Sequence, residues 1–409
     1  MRQPIFFFIY LCTEKGKHHK VEKMNKALFA LSLGTFALGI SEFVMMGILS
    51  NIAAGLGVSI TAAGHLISAY ATGVCVGAIL MLLLRRMPLS RMMMLLAAVI
   101  CAGNLLAAAS PGYWTMLGAR FISGLPHGAY FGVGAIVARR LAAPGREVQA
   151  VSIMIAGMTV ANLLGVPLGT WMAEICSWRI AFLAAGFSGG ITLLLLRLWL
   201  PFMPPLHAGG SMRSQFRFLR TLPPWLIFGG VFIGQSGIYC WYSYIDPLLT
   251  RVSHFSATAL SWIMLLAGFG MFCGNLLAGP LSRRFKPSLV AGYMQASTLV
   301  LLPLIALLAG VQWAVVVLTF LCAAAMFGSG SPLQSSIVVY ARGGELLGAS
   351  LIQIAYNAGN AIAAAVGGSV IASGHGYTAP ALAGIPFVAI GSTLIFILYF
   401  RRERNTPAS

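Results

Sequence analysis

From Lys26 onward, long apolar stretches alternate with short polar ones. Each stretch is about 20 residues or longer, which at ~1.5 Å per residue is enough to cross ~30 Å of hydrocarbon. Twelve such spans are predicted: Lys26–Leu49, Ala62–Leu84, Leu89–Ala109, Trp114–Ala138, Val148–Met172, Trp178–Leu200, Pro224–Ile245, Thr258–Leu281, Ser288–Ala309, Gln312–Val338, Leu346–Ala372 and Pro380–Phe400. The longest interruption, Pro201–Pro223, is rich in Pro and Gly and carries Arg213, Arg217 and Arg220. The pattern predicts an all-α membrane protein with a six-helix bundle over 24–200, a connecting loop over 201–223, and a second bundle with a short tail over 224–409. Residues 1–23 do not fit it. PIFFFIYL is too short to span a bilayer, and no small-residue cleavage site marks a signal peptide. They are expected to lie outside the fold, with a short amphipathic anchor as the alternative.

The charges test this count. Basic residues fall in alternate connections: Lys15 to Lys26; Arg85, Arg86 and Arg91; Arg139, Arg140 and Arg146; Arg213, Arg217 and Arg220; Arg283, Arg284 and Lys286; Arg342; and Arg401, Arg402 and Arg404. The opposite connections hold only Arg179 and Arg251. A wrong span count would scramble that alternation. The positive-inside rule then puts both termini in the cytoplasm. Composition agrees: 59% of residues are hydrophobic and 8% charged, with a mean hydropathy of +0.88. Soluble domains average about 25% charged, so a water-soluble protein is excluded. The formal charge of +18 belongs to topology, not to nucleic-acid binding. The seven cysteines are scattered without CxxC or metal spacing and read as packing residues. No nucleophile–base set, phosphate loop or metal cluster points to an enzyme, and no cofactor is expected.

The halves repeat. LLLRRMP (Leu82–Pro88) is echoed by PLSRRFKP (Pro280–Pro287), with Arg85 and Arg283 separated by 198 residues. The same offset relates Asn162 to Asn360 and Glu147 to Glu345. Charged and amide residues are rare in this chain, so three anchors at one offset suggest duplication of a six-span unit. Transporters built this way carry their site near the midplane, between the repeats.

The stretch Leu28–Ser50 of span one, LFALSLGTFALGISEFVMMGILS, contains a single ionisable residue, Glu42. A carboxylate at membrane depth needs a partner, water or a proton, and such residues mark ion or substrate pathways. Arg120 in span four is placed at a similar depth, roughly 9–12 Å below the outer surface at 1.5 Å per residue. An opposite charge favours the ionised carboxylate and desolvation favours the neutral one, a competition suited to proton coupling. The alternative is a static salt bridge between two helices. His127 follows Arg120 by seven residues on the same face, and Phe131 continues the stripe. It reads as a proton relay or solute ligand, or as a neutral histidine bonded to a carbonyl freed by Pro126. Gly124, Gly128, Gly132 and Gly134 permit close helix approach.

Candidate solute-binding residues are the aromatic and amide side chains of spans five, seven and eleven. They are Asn162; Gln235, Tyr239, Trp241 and Tyr242; and Gln353, Tyr356, Asn357 and Asn360. Rings with amides suit sugars or mixed polar–aromatic solutes. Tyr244 is assigned to the interfacial aromatic belt, and Asp246, before Pro247, to a solvated outer helix end. In span five, Gly165, Pro167 and Gly169 mark a helix kink.

LGTFALGISEFVMMGIL in span one, RFISGLPHGAYFGVGAIVARR in span four and GMTVANLLGVPLGT in span five resemble the major facilitator superfamily. The resemblance runs from Met24 to about Arg404, within the twelve-span drug:proton antiporter branch. The chain is most similar to the AraJ-type group of arabinose-inducible and sugar-efflux transporters. The resemblance implies the major facilitator fold, two pseudo-symmetric six-helix halves, in a bacterial inner membrane. RFISG matches the superfamily's span-four arginine motif, linked to proton transfer, which places Arg120 beside Glu42 in coupling. There are two departures. Val166 separates the Gly and Pro that the antiporter motif holds adjacent. Arg85 stands where the superfamily has an aspartate meeting the start of span eleven. Span eleven opens here with Glu345, so the charges are expected to be exchanged, with Glu147 facing Arg283 or Arg284 by the repeat. Arg85, Glu147, Arg283 and Glu345 are thus the expected cytoplasmic gate; the alternative is that the arginines are topology signals only. The leading function is proton-coupled efflux of a sugar-like or small amphipathic solute by a monomer in the lipid bilayer, with protons as coupling ion. A facilitator or importer without coupling, or a membrane sensor on a transporter fold, are the alternatives.

Overall fold

The computed structural model describes residues 26–84, 86–143, 146–205 and 216–404. The N-terminal 23 residues and Arg85 lie outside them. Among the described residues the chain is helix and loop, without strands. Among the described residues eleven helices are long and apolar enough to cross a membrane: Lys26–Gly47, Ile60–Met81, Leu89–Ala109, Tyr113–Leu141, Gln149–Ile175, Arg179–Trp199, Ala257–Arg284, Pro287–Leu307, Gln312–Tyr340, Leu347–Ala372 and Ala379–Glu403. The seventh expected span is the 21-residue helix Leu222–Tyr242. It misses the apolarity of the others because Gln235, Ser236, Tyr239, Trp241 and Tyr242 interrupt its aliphatic run, and all five are buried inside the protein. With it the fold has twelve traversals, numbered one to twelve below, and both ends of the described chain lie on the same face.

Local chemistry sets the boundaries. Spans two and eight each open with a serine whose hydroxyl accepts an amide one turn in: Ala62 N to Ser59 Oγ at 3.1 Å and Ala259 N to Ser256 Oγ at 3.2 Å. The fourth helix of each half is broken in the middle. Span four breaks at Leu125, before Pro126, and span ten at Ser329, between two glycines. Span five is not simply kinked at Pro167. A π-helical segment, Ala161–Gly165, precedes the proline and takes up the misfit created by its missing amide.

The halves pack alike. Span two lies on four as eight lies on ten; three lies on six and on four as nine lies on twelve and on ten. Between the halves, span two meets eleven and span five meets eight. Span eight touches the π segment and the part of span five beyond it, Val166–Ile175, with scant contact to Glu147–Val160 on the termini side. Along spans two and eleven the ties are Thr61 Oγ1 to the Gly368 carbonyl, Ser68 Oγ to Ala361 and Cys75 Sγ to Ile354, at 3.2, 2.9 and 3.6 Å. They start at the face opposite the termini and stop short of the termini end. The ties between the halves are therefore concentrated at the far face and thin out toward the termini, where the second segment of span four, Pro126–Leu141, still touches span eleven.

Candidate proton-coupling and solute site

Close backbone approach assembles the site. Span two crosses span four where a Cβ on Gly124 would stand 2.1 Å from the Tyr70 carbonyl oxygen, so only glycine allows the contact. That contact sets Tyr70 against the two polar side chains of span four. Its hydroxyl is 2.8 Å from His127 Nδ1, and its ring lies under the Arg120 guanidinium, 4.4 Å from carbon to centroid. Phe182 takes a second face of the same guanidinium at 5.4 Å, and Phe131 stacks on His127 at 5.2 Å. Buried cation–π contacts of this kind contribute roughly 2 kcal/mol each.

Glu42 is 6% exposed, and His127 Nε2 stands 3.7 Å from its Oε2. Among the described residues the basic side chain within 4 Å of its carboxylate is thus His127 and not, as expected, Arg120. Arg120 Nη1 instead donates to the carbonyl of Ser41 at 2.8 Å and to its hydroxyl at 3.4 Å, and attracts Glu42 from farther away. The geometry explains the difference: the guanidinium is held over the backbone next to the acid by Tyr70 and Phe182. Ser41 Oγ donates to Asn104 Oδ1 at 2.7 Å, and Asn104 Nδ2 donates to the Ile100 carbonyl at 2.9 Å. Ser41, Asn104 and Arg120 are all fully buried. With the imidazole proton on Nε2, Tyr70 donates to Nδ1 and His127 faces its own proton to Glu42. Glu42, His127 and Tyr70 then lie in a row of exchangeable groups, hydrogen-bonded between Tyr70 and His127 and separated by 3.7 Å, longer than a hydrogen bond, between His127 and Glu42. His127 is not bonded to a carbonyl freed by Pro126.

The other half approaches the same carboxylate. Asn360 of span eleven comes up to Glu42, yet neither polar atom of its carboxamide is hydrogen-bonded. Its repeat mate Asn162, in the π segment, is also buried with both polar atoms unpaired. Tyr239 lies within electrostatic reach of Glu42, Tyr242 and Tyr356, and Phe43, next to Glu42, packs 6.4 Å from the Tyr242 ring and 5.6 Å from Phe327. The Tyr356 hydroxyl, Asn357 Oδ1 and Trp241 Nε1 are buried without partners. Buried polar atoms are normally satisfied, so unpaired donors and acceptors on spans five, seven and eleven set these residues apart from the apolar core. Two candidate side chains are already engaged: Gln235 Nε2 donates to Ser329 Oγ at 2.7 Å, and Asn357 Nδ2 donates to the Gln353 backbone carbonyl at 3.1 Å.

Two outer residues differ from expectation. Tyr244 is not in an aromatic belt. It is fully buried, with its hydroxyl on the Ala364 carbonyl at 2.6 Å, because Gly64, Gly367 and Gly368 leave room for its ring between the halves. Asp246 is not solvated; it is 1% exposed and bonded to Ser50 of the first half. The gate candidates are apart from this cluster. Glu147 and Arg283 are exposed, and the Glu345 carboxylate accepts the Gly343 amide at 2.9 Å. Gly165, Pro167 and Gly169 are buried around the π segment, where Gly165 packs on Ile40 and Gly169 on Val44 of span one.

Sequence reasoning missed Tyr70, Ser41 and Asn104. Asn104 had a signal, an amide inside an apolar span. Tyr70 had none, since a tyrosine in a membrane helix looks the same whether it faces lipid or a histidine.

The major facilitator superfamily model matches residues 31–349. The chain is 40% identical over 388 residues to the Escherichia coli protein AraJ, described as a transporter, covering 94% of this chain and 98% of that one. A Helicobacter pylori protein described as a sugar efflux transporter is 29% identical over 382 residues, covering 91% and 94%. Among solved structures, a bacterial homologue of the human lysosomal transporter Spinster, in an inward-facing, unoccupied conformation, superposes with a TM-score of 0.73 at 18% identity, covering 94% and 99%. The repeated six-helix packing, the polar site between the halves and these likenesses agree, and the chain belongs to the major facilitator superfamily of membrane transporters.

Proposed function

We propose that this transporter exports a sugar-like or small amphipathic solute in exchange for protons, by alternating access. The single observation that carries the reading is the buried row Glu42–His127–Tyr70, met from the second half by the unpaired Asn360. One carboxyl thus senses both a proton and whatever occupies the gap between the halves. With Glu42 ionised, the pull toward His127 and Arg120 keeps span one against span four. With Glu42 neutral, that pull is lost and Asn360 gains a donor to meet. Proton and solute then compete for one set of groups, which is the linkage an antiporter needs.

In this reading Asn162, Asn360, Asn357 and Tyr356 hold solute hydroxyls, and Tyr239, Tyr242 and Trp241 pack on its apolar faces. Gln235 and Gln353 orient the groups beside them. The termini are cytoplasmic, following the basic connections, so the open side is the inward one. Arg85 with Glu345, and Glu147 with Arg283, close that side in the opposite state. The name of the Helicobacter pylori relative supports efflux of a sugar.

The test is transport in vesicles reconstituted with the purified protein under an imposed pH gradient, against arabinose, other pentoses, oligosaccharides and hydrophobic drugs. Uphill movement of one class that collapses on adding a protonophore is the expected result. Equilibrating flux that ignores the gradient would make the protein a facilitator and Glu42 a structural acid.

A further inference from the structure

Span one stops at Ile48, and a new short helix, Leu49–Leu56, starts at the face opposite the termini. A helix start leaves amides without partners. The Ser50 amide finds its acceptor in the other half of the molecule, donating to Asp246 Oδ2 at 2.5 Å. Asp246 stands in the first turn of the helix Ile245–Arg251, and Thr250 Oγ1 reaches its other oxygen at 3.4 Å. The contact lies where the halves close, and the carboxyl is almost wholly removed from water.

We propose that Asp246 is a second proton-binding carboxyl, separate from Glu42, and that a proton bound there favours closure of the face opposite the termini. The proposal needs alternating access only and does not rest on Glu42 as coupling acid. Its physical basis is desolvation. In the closed state the carboxylate has one short hydrogen bond, from the Ser50 amide, and one long contact with the Thr250 hydroxyl, which also donates to the Asp246 backbone carbonyl at 2.8 Å; among the described residues it has no cation at ion-pair distance, and when the face opens, water returns to it.

The charged and titratable groups around it are few. Arg251 stands in the last turn of the same helix and is bonded to Tyr377. His254 follows in the loop, and Tyr244 precedes with its hydroxyl on Ala364. Leu49–Leu56 carries no ionisable residue, and Glu174, at the end of span five, is held by Asn51. Span eight, packed on the same helix, has none in its first four turns. Arg251 and the Ser50 and Thr250 contacts lower the carboxyl's proton affinity, but burial outweighs them and raises it from the ordinary 3.8 to about 6. The closed face therefore holds the proton more tightly than the open, hydrated one. Acidification favours closure as pH falls through about 6, and the effect levels off below the ordinary carboxylate range. With cytoplasmic termini this is the outer face, and acid outside drives the carrier toward its inward-open form.

The experiment places spin labels at Trp114→Cys and His375→Cys, one in each half on this face, in a background with the other cysteines removed and Glu42→Gln in place. Interlabel distances are measured in lipid nanodiscs from pH 8 to 4.5. The ratio of closed to open is expected to rise on the order of tenfold, with its midpoint near 6 or below. Asp246→Asn is expected to be closed and insensitive to pH. Ser50→Pro, which removes the amide donor at a first-turn position where proline is tolerated, is expected to move the midpoint upward. Loss of the response in the Glu42→Gln background, its persistence in Asp246→Asn, or a midpoint unmoved by Ser50→Pro would each overturn the proposal.

Discussion

Tyr70 serves two neighbours through different parts of one side chain: its ring lies under Arg120 and its hydroxyl meets His127. Tyr70→Phe separates them, keeping the cation–π contact and losing one buried hydrogen bond of about 1 kcal/mol. Folding is expected to survive, while proton affinity of the Glu42–His127 pair changes by roughly fivefold, read from the pH dependence of solute binding. Glu42→Gln is expected to fold and bind solute, perform exchange and fail at accumulation against a gradient. Uphill transport at the wild-type rate in that variant would leave His127 as the group to test. Asn104→Leu acts farther back: it strands the Ser41 hydroxyl, shifting the platform under Arg120. A loss of about 1–3 kcal/mol of stability is expected, measurable as a lower thermal midpoint in detergent.

At the scale of elements, the contact between spans five and eight depends on a missing side chain. A Cβ on Gly268 would lie 2.2 Å from the Asn162 carbonyl oxygen, in the π segment. Gly268→Ala must push the two spans apart exactly where the halves meet, and is expected to reduce both folded yield and transport, while Gly279→Ala, in open space on the same helix, changes neither. A second joint sits on the termini side of the second half. Glu403, in the last π turn of span twelve, accepts from the Ser288 hydroxyl at the start of span nine and from Tyr340 at the end of span ten, the latter at 3.1 Å. It ties three helix ends together and also favours the start of span nine electrostatically. Glu403→Ala is expected to lower the thermal midpoint without altering proton coupling. The spans themselves were legible from runs of apolar residues. The π segment was not, because Pro167 announces a disturbance of the helix but not its form.

At the scale of the whole molecule, the N-terminal segment and the expected cytoplasmic gate are each open to a direct test. Deleting residues 1–23 is expected to leave expression and flux within about twofold, because their sequence does not match the pattern of the spans that follow. Loss of membrane insertion would show otherwise. Arg85→Glu is expected to impair transport by setting like charge against Glu345, and adding Glu345→Arg to restore part of it. Purely additive loss in the double variant would show that the two never meet. What the sequence by itself determined is the fold class and the family. These depend on properties summed over long stretches: the length of apolar runs, the alternation of basic connections, and a repeat of 198 residues. It also singled out Glu42, Arg120 and His127, because ionisable groups are costly at membrane depth and therefore conspicuous. Tertiary structure alone decided who meets whom. The pairing of His127 rather than Arg120 with Glu42, the place of Tyr70 between them, and the burial of Asp246 against Ser50 all depend on helix rotation and sub-helical-turn displacements. Those are set by glycine contacts and broken helices between segments far apart in the chain, and no local pattern of residues encodes them.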